Sequence, residues 1–168
     1  GHKIYGPSGV GILYGKQKWL EKFSPYQGGG DMIESVSFEK TTYAEIPQKF
    51  EAGTPPIAQV IGLGSAIDFI TKIGLDKISS YEKELTKHAY ESLKSISNLK
   101  VIGYTKNNSG IISFIIEKAH HNDIGTLLDQ EGIAIRTGHH CTQPLMNKLG
   151  ITGTNRISFG LYNNMEDI

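Results

Sequence analysis

The chain has 168 residues, of which 38% are hydrophobic and 20% charged, as expected for one ordinary globular domain and little more. Seventeen basic residues balance seventeen acidic ones, which argues against nucleic acid or an anionic membrane as a general partner. No apolar run reaches the roughly 18 residues of a membrane span, and a single cysteine cannot form an internal disulfide, so we expect a cytoplasmic protein.

The N-terminal part of the chain is predicted to contain short elements joined by long loops. Residues 9–14 form an apolar run typical of a buried strand, and residues 16–23 predict a short helix. A triple glycine at 28–30 begins a polar connection that continues to Pro56. A connection of this length usually carries function or contacts a partner.

From residue 57 the pattern becomes helical. Apolar residues recur at helical spacing over 57–73, with Thr54 as a predicted N-cap and Pro55 in the first turn. A second helix is predicted over 76–96, where one face is apolar and the opposite face is charged.

The rest of the chain alternates between short strands and a helix. Strands are predicted over 100–104, 111–116, 133–136 and 156–161, and a helix is predicted over 122–131. This alternation indicates an α/β or α+β fold, with a small sheet covered by helices in the second half.

The only cysteine lies in a segment suited to nucleophilic chemistry. Residues 136–144 read Arg-Thr-Gly-His-His-Cys-Thr-Gln-Pro, which puts Cys141 beside His139 and His140 and five residues after Arg136. The reactive form of a cysteine is the thiolate, which cationic neighbours stabilise. A buried, inert cysteine is the commoner interpretation of a single thiol. The neighbouring residues favour the nucleophile.

A metal site is a rival interpretation of the same region. Gly-His-Lys at a true N-terminus chelates divalent copper, and the histidines and the cysteine could supply zinc ligands. The candidate ligands are His120, His121, His139, His140 and Cys141. Adjacent histidines on a strand point to opposite faces and no second cysteine is present, so we expect no metal.

Ordered motifs along the chain resemble one known family. They are Gly-His-Lys-Ile-Tyr-Gly-Pro at 1–7, Phe-Glu-Ala-Gly-Thr-Pro at 50–55, the cysteine segment at 136–144, and Arg156 at the start of an apolar strand. Over essentially its whole length the chain resembles group II cysteine desulfurases and the related selenocysteine lyases, in the class V aminotransferase branch of the pyridoxal phosphate enzymes. The resemblance implies that the chain folds as the C-terminal portion of a fold-type I pyridoxal-phosphate-dependent transferase.

The resemblance implies a cofactor role for four residues. Lys3 matches the lysine that holds pyridoxal 5′-phosphate as a Schiff base, and His2 matches a histidine near the cofactor phosphate. Gly28 and Thr54 resemble elements that reach the phosphate of the neighbouring subunit in the family's dimer. Glycine lets backbone N–H groups approach an anion, and a threonine hydroxyl donates a further hydrogen bond.

The resemblance also implies roles for three residues in substrate chemistry. Arg156 matches the arginine that grips the substrate carboxylate, a task that suits the planar fork of a guanidinium. Arg136 matches a contact to the substrate or to the cysteine loop, and Cys141 matches the thiolate that attacks the substrate sulfur.

The function implied is the conversion of L-cysteine to L-alanine and a persulfide on Cys141, in a homodimer. The sulfur would pass to an acceptor protein, commonly for iron-sulfur cluster assembly. A selenocysteine lyase, or another class V aminotransferase-type enzyme, is the alternative enzyme, and an isolated non-catalytic interaction or folding domain is the alternative from another class. We expect residues 1–56 to belong to the cofactor-binding large domain and residues 57–168 to form a small domain with the catalytic cysteine.

The family also has a large upstream segment that supplies further cofactor contacts. These 168 residues alone are therefore expected to bind the cofactor weakly or not at all and to be inactive. Thr142 and Gln143 stand where the family has a small residue after the cysteine, which leaves the identity of the sulfur acceptor open.

Overall fold

The computed structural model describes residues 1–108 and 110–168 and divides them into two compact units. The first unit comprises Gly1–Lys72, and the second comprises Ile73–Ile168. Each is described separately below.

The first unit consists mainly of loops that connect short elements. In chain order these elements are a 3-10 helix at His2–Ile4, α1 at Gln17–Leu20, β1 at Ile33–Val36, β2 at Thr41–Tyr43, a 3-10 helix at Gln48–Phe50 and α2 at Ile57–Ile73. Strands β1 and β2 pair antiparallel. The polar connection predicted over 28–56 therefore contains a hairpin as well as loops.

No strand forms at residues 9–14, where the apolar run predicted one. Ile12, Leu13 and Tyr14 are 75%, 84% and 84% exposed. A strand needs a neighbour that satisfies its backbone N–H and C=O groups, and the sheets in the described part of the chain do not include this run. The prediction of a buried strand here is wrong.

Helix α2 was predicted with the correct extent, but its predicted cap is wrong. The helix begins at Ile57, and the backbone N–H of Val60 donates to the carbonyl of Pro56 at 2.9 Å. Pro56 therefore holds the position that precedes the first helical residue. Thr54 lies two residues further upstream, outside the helix, because Pro55 and Pro56 separate it from the first turn.

Helix α2 packs against the first residues of the chain. A Cβ atom added at Gly6 would lie 2.9 Å from Cδ1 of Leu63, and one added at Gly62 would lie 3.2 Å from Cγ of Pro7. This packing places α2 in the first compact unit, which extends to Lys72. The division into a large-domain part at 1–56 and a small domain at 57–168, with a function for each, stays a prediction.

The second unit is a four-stranded antiparallel sheet with helices. Its elements are α3 at Leu75–Lys94, β3 at Leu99–Ile102, β4 at Ile111–Ile116, α4 at His121–Gln130, β5 at Arg136–Gly138, α5 at Gln143–Leu149, β6 at Thr154–Ser158 and a 3-10 helix at Met165–Asp167. The strand order is β3-β4-β6-β5. The predicted α+β character is confirmed, and α5 was not predicted.

The last two strands lie at slightly different positions from those predicted. Helix α4 ends at Gln130, and the backbone N–H of Ile133 donates back to the carbonyl of Leu128 at 2.8 Å. This bond holds the start of the predicted strand 133–136 against the helix end, so pairing begins only at Arg136.

The core of the second unit forms between α3 and the sheet, with one residue from α5. Leu85 and Ala89 of α3, Ile112 and Phe114 of β4, and Met146 of α5 are all buried. Ile112 and Phe114 lie two residues apart, as expected for one face of a strand. This sheet positions the cysteine segment, because β5 leads directly into it.

A buried threonine joins α3 to the start of β4. Thr86 is 1% exposed, and its hydroxyl donates to the carbonyl of Glu82 and accepts from the backbone N–H of Gly110 at 2.8 Å.

We expect Thr86→Val to lower the free energy of unfolding by about 1–3 kcal/mol, because the buried N–H of Gly110 would lose its acceptor. Urea unfolding measures this change. Thr71→Val, at an exposed position of α2, is the control and should change stability by less than about 0.5 kcal/mol. Equal effects of the two substitutions would contradict the prediction.

Among the described residues, no single helix is long and apolar enough to cross a membrane. The consecutive helices α2 and α3 pass that test only when taken together as a bent pair, by length and composition alone.

Candidate active site

Cys141 lies in a tight turn between β5 and α5. His140 and Cys141 have φ angles of 53° and 62°, in the left-handed region that non-glycine residues rarely adopt. Thr142 donates to the carbonyl of His139 from both its backbone N–H and its hydroxyl, each at 2.8 Å. The backbone N–H of Cys141 donates to Nδ1 of His139 at 3.2 Å. His139 is therefore part of the turn's hydrogen-bond network.

The thiol is exposed and lies beside a cation. Cys141 has a free thiol at the surface, and its Sγ atom is 3.6 Å from Nη2 of Arg136. A guanidinium at this distance stabilises a thiolate electrostatically. The alternative of a buried cysteine is wrong, and the spacing of five residues correctly indicated this neighbour.

The two arginines of the chain lie opposite each other on adjacent strands. Arg136 of β5 and Arg156 of β6 are register partners in an antiparallel pair, so their side chains leave the same face of the sheet. Like charges directly opposite each other destabilise a sheet. An anionic ligand bound between the two guanidinium groups would replace their repulsion by attraction to the ligand, so the pair is suited to binding a carboxylate.

Arg156 also has an unused buried donor. Its side chain is half-buried, and its Nε atom is buried without a hydrogen-bond partner among the described residues. An unpaired buried donor is costly, and an incoming carboxylate would satisfy it. This atom agrees with the predicted role of Arg156 toward a substrate carboxylate, which stays a prediction.

His140 connects the cysteine turn to β6. Its Nε2 atom lies 2.9 Å from Oγ1 and 3.2 Å from the carbonyl oxygen of Thr154. Burial lowers the pKa of His140, as do the positive charges of Arg156, Arg136 and His121, although the hydrogen bond to Thr154 acts in the opposite direction. Sequence reasoning left the role of His140 open and missed Thr154, since only the strand pairing brings Thr154 close.

Lys3 and His2 lie in the first unit, in an exposed 3-10 turn. The backbone N–H of Ile4 donates to the carbonyl of Gly1 at 3.0 Å, and the terminal amine of Gly1 donates to the carbonyl of Val10 at 2.8 Å. The side chain of Lys3 is exposed and makes no hydrogen bond or ion pair with the described residues. Its amine is therefore available to a ligand.

The two predicted phosphate-binding segments of the first unit lie together. The backbone N–H of Gly53 donates to the carbonyl of Gly30 at 2.8 Å, and a Cβ atom added at Gly29 would lie 2.9 Å from Cβ of Ala52. Only glycine allows this approach. No atom lies within 4 Å of a Cβ position at Gly28, and Thr54 is exposed, so both are open to solvent.

The described residues give the metal interpretation no support. No group of three or more His, Cys, Asp or Glu side chains in this part of the chain is placed to hold a metal ion. His139 and His140 instead make the hydrogen bonds of the cysteine turn described above.

Comparison with known proteins identifies the class of this chain. The family model described as aminotransferase class-V matches residues 1–168, and the chain belongs to that family. The family membership predicted from the motifs is confirmed.

The relatives within that class carry a narrower name. A protein of Vibrio cholerae named probable cysteine desulfurase is 46% identical over 168 residues, which cover 100% of this chain and 41% of that protein. A protein of Staphylococcus aureus strain Mu50 with the same name is 48% identical over 169 residues and is covered to the same extents. The chain spans about two fifths of the length of these curated relatives.

Solved structures agree with the sequence comparison. The cysteine desulfurase CsdA from Escherichia coli, in an S-sulfonic acid form, superposes with a TM-score of 0.92 at 41% identity, covering 99% of this chain and 41% of that one. The apo cysteine desulfurase from Thermococcus onnurineus NA1 gives a TM-score of 0.92 at 40% identity, with 98% and 41% covered. The predicted fold is confirmed.

Proposed function

We propose that the protein carrying this chain is a cysteine desulfurase, which converts L-cysteine to L-alanine and leaves the sulfur as a persulfide on Cys141. The observation that carries the proposal is the exposed thiol of Cys141, whose Sγ atom lies 3.6 Å from Nη2 of Arg136. Arg136 is also the strand partner of Arg156. The identity of 46–48% to proteins named probable cysteine desulfurase supports it.

The residues of the first unit fit pyridoxal 5′-phosphate as a cofactor. Lys3 offers an exposed amine that has no partner among the described residues, and Gly28 and Thr54 are both exposed at the ends of segments that contact each other through Gly30 and Gly53. Lys3 would hold the cofactor, and His2, Gly28 and Thr54 would contact cofactor phosphates. When bound, the cofactor supplies an electron sink that makes the Cα proton of the substrate acidic.

The chain's own residues would then share the chemistry. Arg156 binds the substrate carboxylate, and the Lys3 amine takes the Cα proton and later returns a proton. The thiolate of Cys141 attacks the substrate sulfur, so that an S–S bond forms as the C–S bond breaks. The carbon that loses sulfur takes up a proton and becomes the methyl group of alanine, while Cys141 carries the persulfide.

The persulfide would leave with a partner protein. Cys141 lies in a short turn between Gly138, the last residue of β5, and Gln143, the first residue of α5. A short turn gives the thiol little reach, so the acceptor has to approach it. Sulfur supply for iron-sulfur cluster assembly, a cytoplasmic location and a homodimer complete the proposal.

The test uses the protein encoded by the complete gene, supplied with pyridoxal 5′-phosphate and L-cysteine. We expect alanine release, and mass spectrometry should show an added sulfur atom on the Cys141 peptide. Alanine release from selenocysteine but not from cysteine would identify a selenocysteine lyase instead. Release from neither substrate would favour a non-catalytic domain.

Arg156→Lys is expected to raise the KM for L-cysteine by about ten- to a hundredfold. A lysine keeps the charge but cannot form the paired hydrogen bonds of a guanidinium, and a hydrogen bond to a charged group contributes about 1.5–3 kcal/mol. Steady-state alanine release measures this change. Arg136→Lys is the comparison: its main effect should fall on kcat, because Arg136 contacts Cys141 Sγ. An unchanged KM in Arg156→Lys would contradict the carboxylate role.

A further inference from the structure

The turn that presents Cys141 needs a tether, that is, a hydrogen bond that attaches it to the sheet. His140 and Cys141 are consecutive non-glycine residues in left-handed conformations, which an isolated turn would leave. The hydrogen bonds from Thr142 to His139 close the turn but do not attach it to the sheet. The attachment must come from side chains that reach a strand.

His140 provides such an attachment to a rigid part of the sheet. Its Nε2 atom lies 3.2 Å from the carbonyl oxygen and 2.9 Å from Oγ1 of Thr154, the first residue of β6. Thr154 is only 1% exposed and is the register partner of Gly138 in β5. We assign the imidazole proton to Nε2, because the carbonyl oxygen of Thr154 can only accept a hydrogen bond, whereas Oγ1 can take either role.

Gly153 allows the turn to lie this close to β6. A Cβ atom added at Gly153 would lie 2.8 Å from the carbonyl carbon of Gly138 and 2.5 Å from Nε2 of His121. Both distances are too short for a real Cβ atom, so any other residue would push the two segments apart. The close approach of Gly153 to Gly138 therefore brings the cysteine turn near enough to β6 for His140 to reach Thr154.

The surroundings of His140 keep it neutral. Arg156 of β6, Arg136 of β5 and His121 of α4 face it, and with burial they lower its pKa. Its Nδ1 atom is buried without a partner among the described residues, so a second proton there would have no acceptor. A second proton would leave the Nε2–H donor in place but would put a positive charge in a partly buried site beside Arg156 and Arg136. Acidification therefore favours a state in which His140 has left this site and the bond to Thr154 is broken.

We infer that His140 is a positioning residue: its Nε2–H group, bonded to Thr154, holds the left-handed turn in which Cys141 Sγ contacts Arg136. The inference rests on the proposed function, since it assigns a role to that contact in thiolate chemistry. His140 itself does not touch the reacting atoms. Without the tether the turn relaxes, and the thiol loses its guanidinium neighbour.

The test measures alkylation of Cys141 by iodoacetamide, followed by mass spectrometry of the Cys141 peptide, in the protein encoded by the complete gene. At pH 7 we expect His140→Ala to slow alkylation about tenfold, because the relaxed turn separates Cys141 Sγ from the Arg136 guanidinium, which otherwise stabilises the negative charge of the attacking sulfur. His88→Ala, at an exposed histidine on α3, is the matched control and should leave the rate unchanged. An unchanged or faster rate in His140→Ala would overturn the inference.

His140→Gln provides the second measurement and does not depend on the alanine variant folding. The glutamine amide can donate to Thr154 as Nε2 does, but it does not titrate. Its rate should stay within about threefold of wild type at pH 8, where a hydrogen bond is retained. Because only the wild-type residue gains a charge in acid, the ratio of wild-type to His140→Gln rates should fall as the pH drops from the ordinary histidine range toward the lowered pKa of His140. A flat ratio, or a glutamine variant as slow as the alanine variant, contradicts the inference.

Failure of this inference can be told apart from failure of the proposed function. Alkylation needs neither cofactor nor substrate, so a His140 effect on alkylation without alanine release would refute only the desulfurase proposal. Alanine release with no His140 effect would refute only the positioning role. Where both hold, His140→Ala should lower kcat for L-cysteine about tenfold with little change in KM, because Arg156 is untouched.

Discussion

Replacing Cys141 with alanine is expected to reduce alanine release from L-cysteine by about a thousandfold or more, the scale on which removal of a catalytic nucleophile acts. The side chain is exposed, so its loss opens no cavity and the fold should be unaffected. The rate is measured as kcat for alanine release. Mass spectrometry in parallel should show no added sulfur on the variant.

Substrate comparison makes the Cys141→Ala result more informative. Selenocysteine releases selenium more readily than cysteine releases sulfur, so its turnover does not have to depend on the thiolate. Loss of cysteine turnover with retained selenocysteine turnover would indicate a desulfurase that tolerates the heavier element. Full alanine release from cysteine by Cys141→Ala would contradict the nucleophile role, whatever the selenocysteine result.

Local sequence patterns predicted the three long helices α2, α3 and α4 and the central strand β4 well, whereas the short helix α5 was missed. The apolar spacing over 57–73 matches the bounds of α2, and the apolar run at 111–116 matches β4. Both patterns arise because each element has residues that pack into the interior at a regular spacing. The same kind of pattern failed at residues 9–14. An apolar run shows that a segment favours burial, but it does not supply the neighbouring strand.

Some contacts of the candidate site join residues close in sequence and could be predicted, whereas others join residues on different strands and could not. The contact between Arg136 and Cys141 spans five residues, and the composition of the segment was enough to suggest it. The pairing of Arg136 with Arg156 and the bond from His140 to Thr154 depend on the register of β5 with β6. Residue patterns do not specify that register, so the positioning role of His140 could be found only in the structure.

Lys3→Ala is expected to abolish covalent attachment of pyridoxal 5′-phosphate and to lower kcat/KM for L-cysteine by about a thousandfold or more. The variant loses the amine proposed to hold the cofactor and also the general base, and proton transfer alone contributes about 10²–10⁴-fold. Borohydride reduction followed by mass spectrometry should find the cofactor on the Lys3 peptide in the wild type and on no peptide in the variant.

Two comparisons make the Lys3 experiment decisive. Lys40→Ala removes another exposed lysine of the first unit, one whose amine makes no hydrogen bond or ion pair with the described residues, and it should leave both attachment and turnover unchanged. Added methylamine should partly restore turnover to Lys3→Ala, since a free amine can replace the missing base. Cofactor attached to a different lysine in the wild type would refute the role of Lys3 directly. That readout locates a bond instead of comparing rates, so a misfolded variant could not produce it.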